Sequence, residues 1–510
     1  MSDQREAIRS NAKYLRNVRP IDPEEICDYV SGTPHPAVVR QHLREDAADL
    51  GLIERDDGTF VPVDDEPVSP RRGPVERFPA DYEGRLEDLL VDRYGVNWHE
   101  DGTGDLLRST IRRFKERYLE RRPVEYDDDV AAGYAIYHLP AYYAAVQYAL
   151  DDLAERDLLG RSLRVLDVGA GVGGPALGLC DYLPDDGLLD YHAIEPSAAA
   201  DVLEDLLAET GRNVHATVHR TTVEAFDPAA VGRSTDPAGG DGFDPTAPDD
   251  GFDLVLACNV LSELDDPEAV AERSLELLAP DGTLLAMAPA DRNTAIQLRE
   301  VERALEGTRI DVSVGDGNGD GDDHDRPGVV TVYGPPVRLW PGETPSDRGW
   351  SFDVRPDLAV PSFQRRLDEA APAGDDEHAP GEFVNVDVQF AYSLLRLDGR
   401  RRIDLDLDPD EWARMAEMDR HVTNRIDLVA AKLSRSLSED DGNPLFKISD
   451  GSESIDHYAV LTRETSLNRA LLEADYGEVL AFEQILALWN DDEEAYNLVV
   501  DEETIVDRIA

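Results

Sequence analysis

The chain has little cysteine, little lysine and no long apolar run. Its 510 residues hold three cysteines, Cys27, Cys180 and Cys258, far apart and in no C-x-x-C pair. That excludes a disulfide framework and a sequence-local metal knuckle. No run of 18 apolar residues occurs, and the opening MSDQREAIRSNAKYLRNV is charged throughout. Neither a membrane span nor a signal peptide is expected, and the chain reads as soluble and cytoplasmic. Lysine is confined to Lys13, Lys115, Lys432 and Lys447; the rest of the 50 basic residues are arginines.

Acid is what the chain has in excess: 108 Asp and Glu, for a net charge of −58. An acidic, lysine-poor composition resembles that of proteins from salt-accumulating halophiles, whose carboxylates keep the surface hydrated. An acidic disordered chain is the alternative, but 41% hydrophobic content in periodic segments argues against it. Nor does −58 exclude a nucleic-acid partner. At roughly 1 M salt the Debye length shrinks to about 3 Å, so local arginine clusters and stacking matter more than the total.

The length suggests about three domains. Residues 1–65 read as a small helix-turn-helix unit with helices near Arg5–Val18, at IDPEEICDYV (Asp22 and Pro23 as cap and first turn) and at TPHPAVVRQHLREDAADLGL. GLIERDDGTFVPV follows as two strands around Asp56-Asp57-Gly58. Three helices and a β-wing resemble a winged helix, a module that binds nucleic acid or protein. Residues 66–160 are a Pro- and Arg-rich linker and then helices. Within them STIRRFKERYLERR carries Arg112, Arg113 and Lys115, a solvated face paired with Glu116 and Glu120 or a phosphate-contacting helix.

Residues 161–400 alternate strands (LRVLDVG, LDYHAIEP, NVHATVHR, FDLVLACNVL, GTLLAMAP) with helical patterns, the βαβ signature of a mostly parallel sheet. Asp/Gly/Pro-rich inserts at Pro228–Gly251, Val314–Gly328 and Ala371–Gly381 interrupt it as loops. DGNGDG at Asp316–Gly321 fits half an EF-hand loop, but position twelve would be Pro327, so no metal site is expected. Residues 421–510 read as five strands with a short helix, SLNRALLEA, between the third and fourth. That order resembles an OB-fold barrel, which binds single strands through aromatic and basic side chains. Lys432, Lys447 and Trp489 are candidate RNA contacts there, with Arg435, Phe446 and Tyr458.

The stretch LRVLDVGAGVGGPALGL poses a choice of cofactor. Gly169, Gly171 and Gly174 satisfy G-x-G-x-x-G, the dinucleotide fingerprint. Asp167 to Gly173 also satisfies D-x-G-x-G-x-G, the pattern of an S-adenosylmethionine (SAM) loop. A carboxylate two residues before the first glycine would repel a pyrophosphate at the helix N-terminus, whereas SAM offers an ammonium and a sulfonium. Glu195, closing HAIEP, can accept from ribose hydroxyls of either cofactor.

The ordered elements from Leu163 to Pro289, namely the Gly loop, the acidic strand end, FDLV and LAPDGTL, resemble class I SAM-dependent methyltransferases. The implied architecture is an α/β Rossmann-like core flanked by the winged-helix-like and OB-like domains. By resemblance Asp167, Gly169, Gly171, Gly173 and Glu195 line SAM, Glu224 neighbours the adenine, and Asn259 faces the reaction centre as cofactor contact and candidate catalytic residue. A narrower resemblance rests on Tyr137-His138-Leu139-Pro140, Leu261-Ser262-Glu263-Leu264 and FAYSLLRLDGR. It is to the methyltransferase-like family of mitochondrial small-ribosomal-subunit assembly, with bacterial and archaeal relatives, over about 130–400. This implies small-subunit rRNA or a pre-ribosomal particle as partner. The cysteines that hold an iron–sulfur cluster in many members are absent between VTVYGPPVRLWPGE and RGWSFDV, so no cluster is expected.

Three functions stay open: RNA methyltransferase, SAM-binding assembly factor without methyl transfer, and small-molecule methyltransferase. The Asn/Asp-Pro-Pro-Tyr motif used on exocyclic amines is missing, with Cys258-Asn259-Val260-Leu261 in its place. Cys258 is a buried structural thiol or a nucleophile, and His138 a packing residue at a helix start or a base.

Overall fold

The computed structural model describes residues 2–120, 122–231, 251–310, 328–343, 349–372, 378–438 and 442–509. The Asp316–Gly321 pattern and most of the three Asp/Gly/Pro-rich inserts lie outside the described residues. The chain forms two compact units, Met1–Leu254 with Asp357–Asp387, and Val255–Pro356 with Val388–Ala510.

The first unit opens with α1 (Ser2–Leu15), α2 (Pro23–Tyr29), α3 (Pro36–Glu45), the single turn α4 (Ala47–Leu50) and the hairpin β1 (Leu52–Glu54) and β2 (Phe60–Pro62). Asp22 caps α2 by accepting from Glu24 N at 2.9 Å, with Pro23 in the first turn. The expected single third helix breaks at Asp46, and Gly51 in the left-handed region (φ 62°) ends α4. Gly58 (φ 80°) turns the hairpin, and Ile8, Ile26, Leu43, Leu52 and Phe60 form the core of this region.

Helices α5 (Ala80–Tyr94), α6 (Asp101–Leu119) and α7 (Asp128–Ala154) follow. Asp127 caps α7 by accepting from Val130 N at 2.9 Å. Between Val130 and Leu150 this helix carries no charged residue. A helix apolar all round must be buried all round, and α7 nearly is. His138 lies in its middle, not at a helix start as expected, because Pro140 is accommodated inside the helix.

Strand β3 (Ser162–Val168), α8 (Gly174–Tyr182), β4 (Leu188–Ile194), α9 (Ala199–Leu207) and β5 (Val214–His219) form a βαβαβ unit with parallel ladders β3–β4 and β4–β5. The division between the units falls inside β6 (Phe252–Cys258).

In the second unit α10 (Pro267–Glu276), β7 (Leu278–Pro289), α11 (Arg292–Leu305), the paired β8 (Arg309–Ile310) and β9 (Gly328–Val329), β10 (Thr331–Gly334), β11 (Asp353–Arg355) and β12 (Val388–Arg396) come next. Their sheet runs β10-β12-β7-β6, with β11 also on β12, and β12 lies antiparallel to β7 from Phe390↔Pro289 to Arg396↔Thr283. Helix α12 (Ser362–Glu369) belongs to the first unit.

The C-terminal strands β13 (Arg425–Lys432), β14 (Leu445–Ser449) and β15 (His457–Leu461), the turn of helix α13 (Ala470–Glu473), and strands β16 (Val479–Asn490), β17 (Ala495–Val500) and β18 (Ile505–Arg508) close a barrel. Five strands run β13-β14-β15-β17-β16 and back to β13, with β15–β17 the parallel pair. The fifth sequence segment splits at residues 501–504, so β18 adds a sixth strand on β16. Leu428, Phe446, Ile448, Phe482 and Leu498 fill the interior. In chain order, an N-terminal helical region, a Rossmann-like α/β methyltransferase core and a closed β-barrel follow one another.

Candidate functional site

Strand β3 is buried from Leu163 to Val168, and Asp167, its penultimate residue, stands two residues before Gly169. Asp167 is fully buried. Its Oδ2 accepts from the Tyr191 hydroxyl on β4, while Oδ1 has no hydrogen-bond partner among the described residues. Burial pushes this carboxyl up to about 7; the Tyr191 bond opposes the rise and the Glu195 charge adds to it. A buried polar atom without a partner is costly, and native folds keep few of them. An ammonium donating to Oδ1 would satisfy the atom and favour the carboxylate. A pyrophosphate would do neither, so the residues present fit SAM.

The loop geometry is set by backbone that L side chains rarely adopt: φ is 67° at Gly169, 55° at Gly171 and 93° at Gly173. Gly169 N and Ala170 N both donate to Ile194 O, tying the loop to the end of β4. Glu195 clamps it, with Oε2 accepting from Gly171 N at 2.8 Å and Oε1 from Ser197 N at 2.9 Å. Each oxygen keeps a second lone pair, so Glu195 both fixes the loop and remains able to accept a ribose hydroxyl.

A Cβ at Gly173 would lie 2.6 Å from Leu203 Cδ1. One at Gly174 would lie 2.8 Å from Tyr142 Cβ, and one at Gly178 2.4 Å from Tyr143 O. Gly174 and Gly178 thus let α8 pack directly on the α7 backbone, which holds the loop still. At Gly171 the nearest atom would be Gly169 O at 4.0 Å, so that position faces open space.

The other candidates sit in different settings. Glu224 is exposed beyond β5. Asn259, in the second unit just past β6, is half-buried with φ 62°, and its N–H donates to Met287 O at 2.9 Å. Cys258 before it is buried.

Of the proposed RNA contacts, Arg112, Arg113 and Lys115 share α6. Arg112 makes a two-pronged ion pair with Glu382 at 2.6 and 2.7 Å and lies over the Phe383 ring. Lys115 Nζ stands 4.5 Å from the Tyr137 ring centroid. Arg113 is exposed and engages no group among the described residues. In the barrel, Lys432 Nζ is buried, donates to Ala474 O at 2.6 Å and has its pKa lowered by burial to about 8. Lys447 is buried and paired with Asp456. Trp489 is half-exposed, with its Nε1 on Asp491 at 2.8 Å and its ring edge against Tyr496. Neither barrel lysine presents its ammonium on an open strand face.

Two features escape the sequence reading. The Tyr191–Asp167 bond spans 24 residues and leaves no local signal. The aromatic group Tyr134, His138 and Tyr142 does leave one, an i, i+4, i+8 spacing along one helix face.

A family model described as a methyltransferase domain matches residues 166–284. Residues 5–56 match the N-terminal domain, and residues 416–509 the C-terminal domain, of a family described as a domain of unknown function (DUF8157). No curated protein matches the chain. Among solved structures, the plantazolicin methyltransferase BpumL in complex with SAH is 16% identical at a TM-score of 0.21. The alignment covers 43% of this chain and 66%, just under two thirds, of that one. The mitomycin 7-O-methyltransferase MmcR is 16% identical at a TM-score of 0.21, covering 56% and 75%. A putative methyltransferase from Thermoplasma acidophilum is 13% identical at a TM-score of 0.23, covering 47% and 70%. The chain carries a SAM-dependent methyltransferase-like domain.

Proposed function

We propose that the protein is a SAM-dependent methyltransferase acting on small-subunit ribosomal RNA or a pre-ribosomal particle. The buried Asp167 Oδ1, without a partner among the described residues and two residues before Gly169, carries the cofactor half of this reading. The N-terminal helical region and the closed barrel, modules of binding type, support a macromolecular acceptor over a small one.

When bound, the cofactor would supply an electrophilic methyl group on a sulfonium. Asp167 would hold the ammonium through Oδ1 and is itself held by Tyr191. Glu195 fixes the loop through Gly171 N and can accept a ribose hydroxyl. The left-handed Gly169, Gly171 and Gly173 would let the backbone approach the cofactor, and the packing of Gly174 and Gly178 on α7 holds the loop in place.

One observation favours a second reading, a SAM-binding assembly factor without transfer. Asn259-Val260-Leu261 stands in place of the amine-methylating motif, and the Asn259 N–H is engaged by Met287 O. Labelled-methyl incorporation into small-subunit RNA from a deletion strain separates the two. Incorporation by the purified protein is the expected result. No incorporation, together with co-sedimentation on immature subunits, would establish the assembly factor instead.

A further inference from the structure

Strand β5 is the edge of its sheet, and the usual means of blunting an edge are missing from it. It pairs with β4 on one side only, in continuous register from Leu189↔Val214 to Ile194↔His219. Leu189 N donates to Asn213 O and Glu195 N to His219 O, so the odd-numbered residues turn their backbone groups to β4. Successive residues alternate, which sends the N–H and C=O of Ala216 and Val218 outward, where no group among the described residues meets them. Exposed edges are normally protected by charge, proline or a bulge. Val214 to His219 has no proline, no bulge and no Asp, Glu, Lys or Arg, and Ala216 and Thr217 are exposed. The chain holds 108 Asp and Glu, yet none falls between Asn213 and Thr222.

A cavity of about 920 Å³ is lined by Val214, His215, Ala216 and Thr217. Four consecutive strand residues belong to both faces of the sheet, so the cavity follows the edge itself. The rest of its lining is acidic. Glu6 on α1, Glu45 and Asp46 where α3 meets α4, Asp49 on α4 and Asp190 on β4 outnumber Arg5 and Arg9. Arg5 pairs with Asp46 at 2.6 Å and Arg9 with Asp49 at 2.9 Å, while Glu6 engages no group among the described residues. Asp46 is 2% exposed, and its Oδ2 has no hydrogen-bond partner among the described residues. A buried carboxylate oxygen in that state calls for a donor.

The edge asks for main-chain donors and acceptors at the spacing of a strand, and the wall asks for cations. An extended peptide with Lys or Arg at alternate positions supplies both, because a period of two puts every second side chain on one face. A nucleic acid would bring phosphates against the carboxylates. A second copy of this chain would bring a β5 without Lys or Arg and an acidic wall of its own.

We propose that the β5 edge is a docking groove for an extended basic segment of a partner protein, which adds as a strand along Ala216 and Val218 and turns alternate Lys or Arg side chains to Glu6, Asp46 and Asp49. The groove goes beyond the methyl-transfer reading and stands whether or not transfer occurs.

The test is fluorescence anisotropy of a labelled short peptide alternating lysine with threonine, titrated with the full chain. So acidic a chain attracts any cation, and the decisive comparison is therefore between peptides of equal charge. Two further peptides carry N-methyl groups on every second amide, one in each phase. The one whose edge-facing amides are blocked should bind about tenfold more weakly than the parent. Ala216→Pro removes an outward N–H and leaves the ladder to β4 intact, so it should weaken the parent peptide about tenfold while SAM affinity stays within about twofold. Glu6→Gln with Asp46→Asn should weaken it about fivefold, and added salt should narrow that difference. If Ala216→Pro does not fold, the N-methylated peptides on the wild-type chain carry the test. Equal binding of all three peptides, or binding unchanged by Ala216→Pro, overturns the groove. A wild-type dimer that Ala216→Pro dissociates would give the edge to a second copy and overturn it as well.

Discussion

Two aspartates among the described residues are completely buried, and they are treated in opposite ways. Asp450, in the second unit, accepts four hydrogen bonds: Ser452 N and Oγ on Oδ1 at 2.8 and 2.7 Å, and Trp340 Nε1 and Met415 N on Oδ2 at 2.8 and 2.9 Å. Asp167, in the first unit, accepts from Tyr191 and leaves Oδ1 empty-handed. Both carboxyls are pushed up by burial. A carboxylate whose every lone pair is used organises its surroundings and has nothing left to offer a ligand. One left half-satisfied destabilises the free protein and gains its partner only on binding. At Asp167 the second pattern coincides with the glycine loop, and the two together mark the site.

Substitution should separate the two roles. Asp450→Ala strands four donors, and a loss of about 3 kcal/mol or more is expected in urea unfolding, with SAM affinity of the folded protein unchanged. Asp167→Asn should do the reverse: SAM affinity about 100-fold weaker by calorimetry, with stability at neutral pH unchanged or raised because a buried charge is gone. Equal stability losses for the two variants would erase the distinction.

The loop glycines sharpen the contrast at smaller scale. Gly173→Ala combines a left-handed φ with a contact against Leu203 and should cost about 2–3 kcal/mol of stability. Gly171→Ala faces open space and should cost only about 1 kcal/mol, for φ alone. Gly171→Asp, which adds a like charge near Asp167, should abolish SAM binding while the fold survives. Retained affinity in that variant would place the cofactor elsewhere.

Much of this was legible in the sequence. The βαβ alternation, the glycine spacing and the order FDLV then LAPDGTL name the Rossmann-like core, because strand and helix periodicities differ and glycine marks backbone that other residues avoid. The N-terminal hairpin was written in Asp56-Asp57-Gly58, and the barrel order in five apolar segments with a helix after the third. What was not legible depends on pairing across the chain. Nothing near Asp167 says that Tyr191 satisfies one oxygen and leaves the other. Lys432 and Lys447 look like surface cations until the barrel closes around them. Arg112 reads as part of a basic run, yet Glu382, 270 residues on, answers it. His138 reads as a packing residue at a helix start, yet it sits in the middle of α7, because an apolar helix packed on its neighbours can absorb Pro140.

The central claim is that the Asp167 carboxylate holds the ammonium of SAM, and its pH signature is specific. In the free protein the folded pKa is raised to about 7, so below that pH the site holds a proton that the ammonium must displace. Affinity should therefore fall about tenfold per pH unit as pH drops below about 7. It should also weaken above about 8, where an α-amino group loses its own proton. The decisive measurement is SAM affinity by calorimetry from acid to alkaline pH, for the wild-type chain and Asp167→Asn. A wild-type maximum near neutrality whose acidic limb disappears in the variant is the expected result. A flat wild-type profile, or the same acidic limb in both proteins, would contradict it.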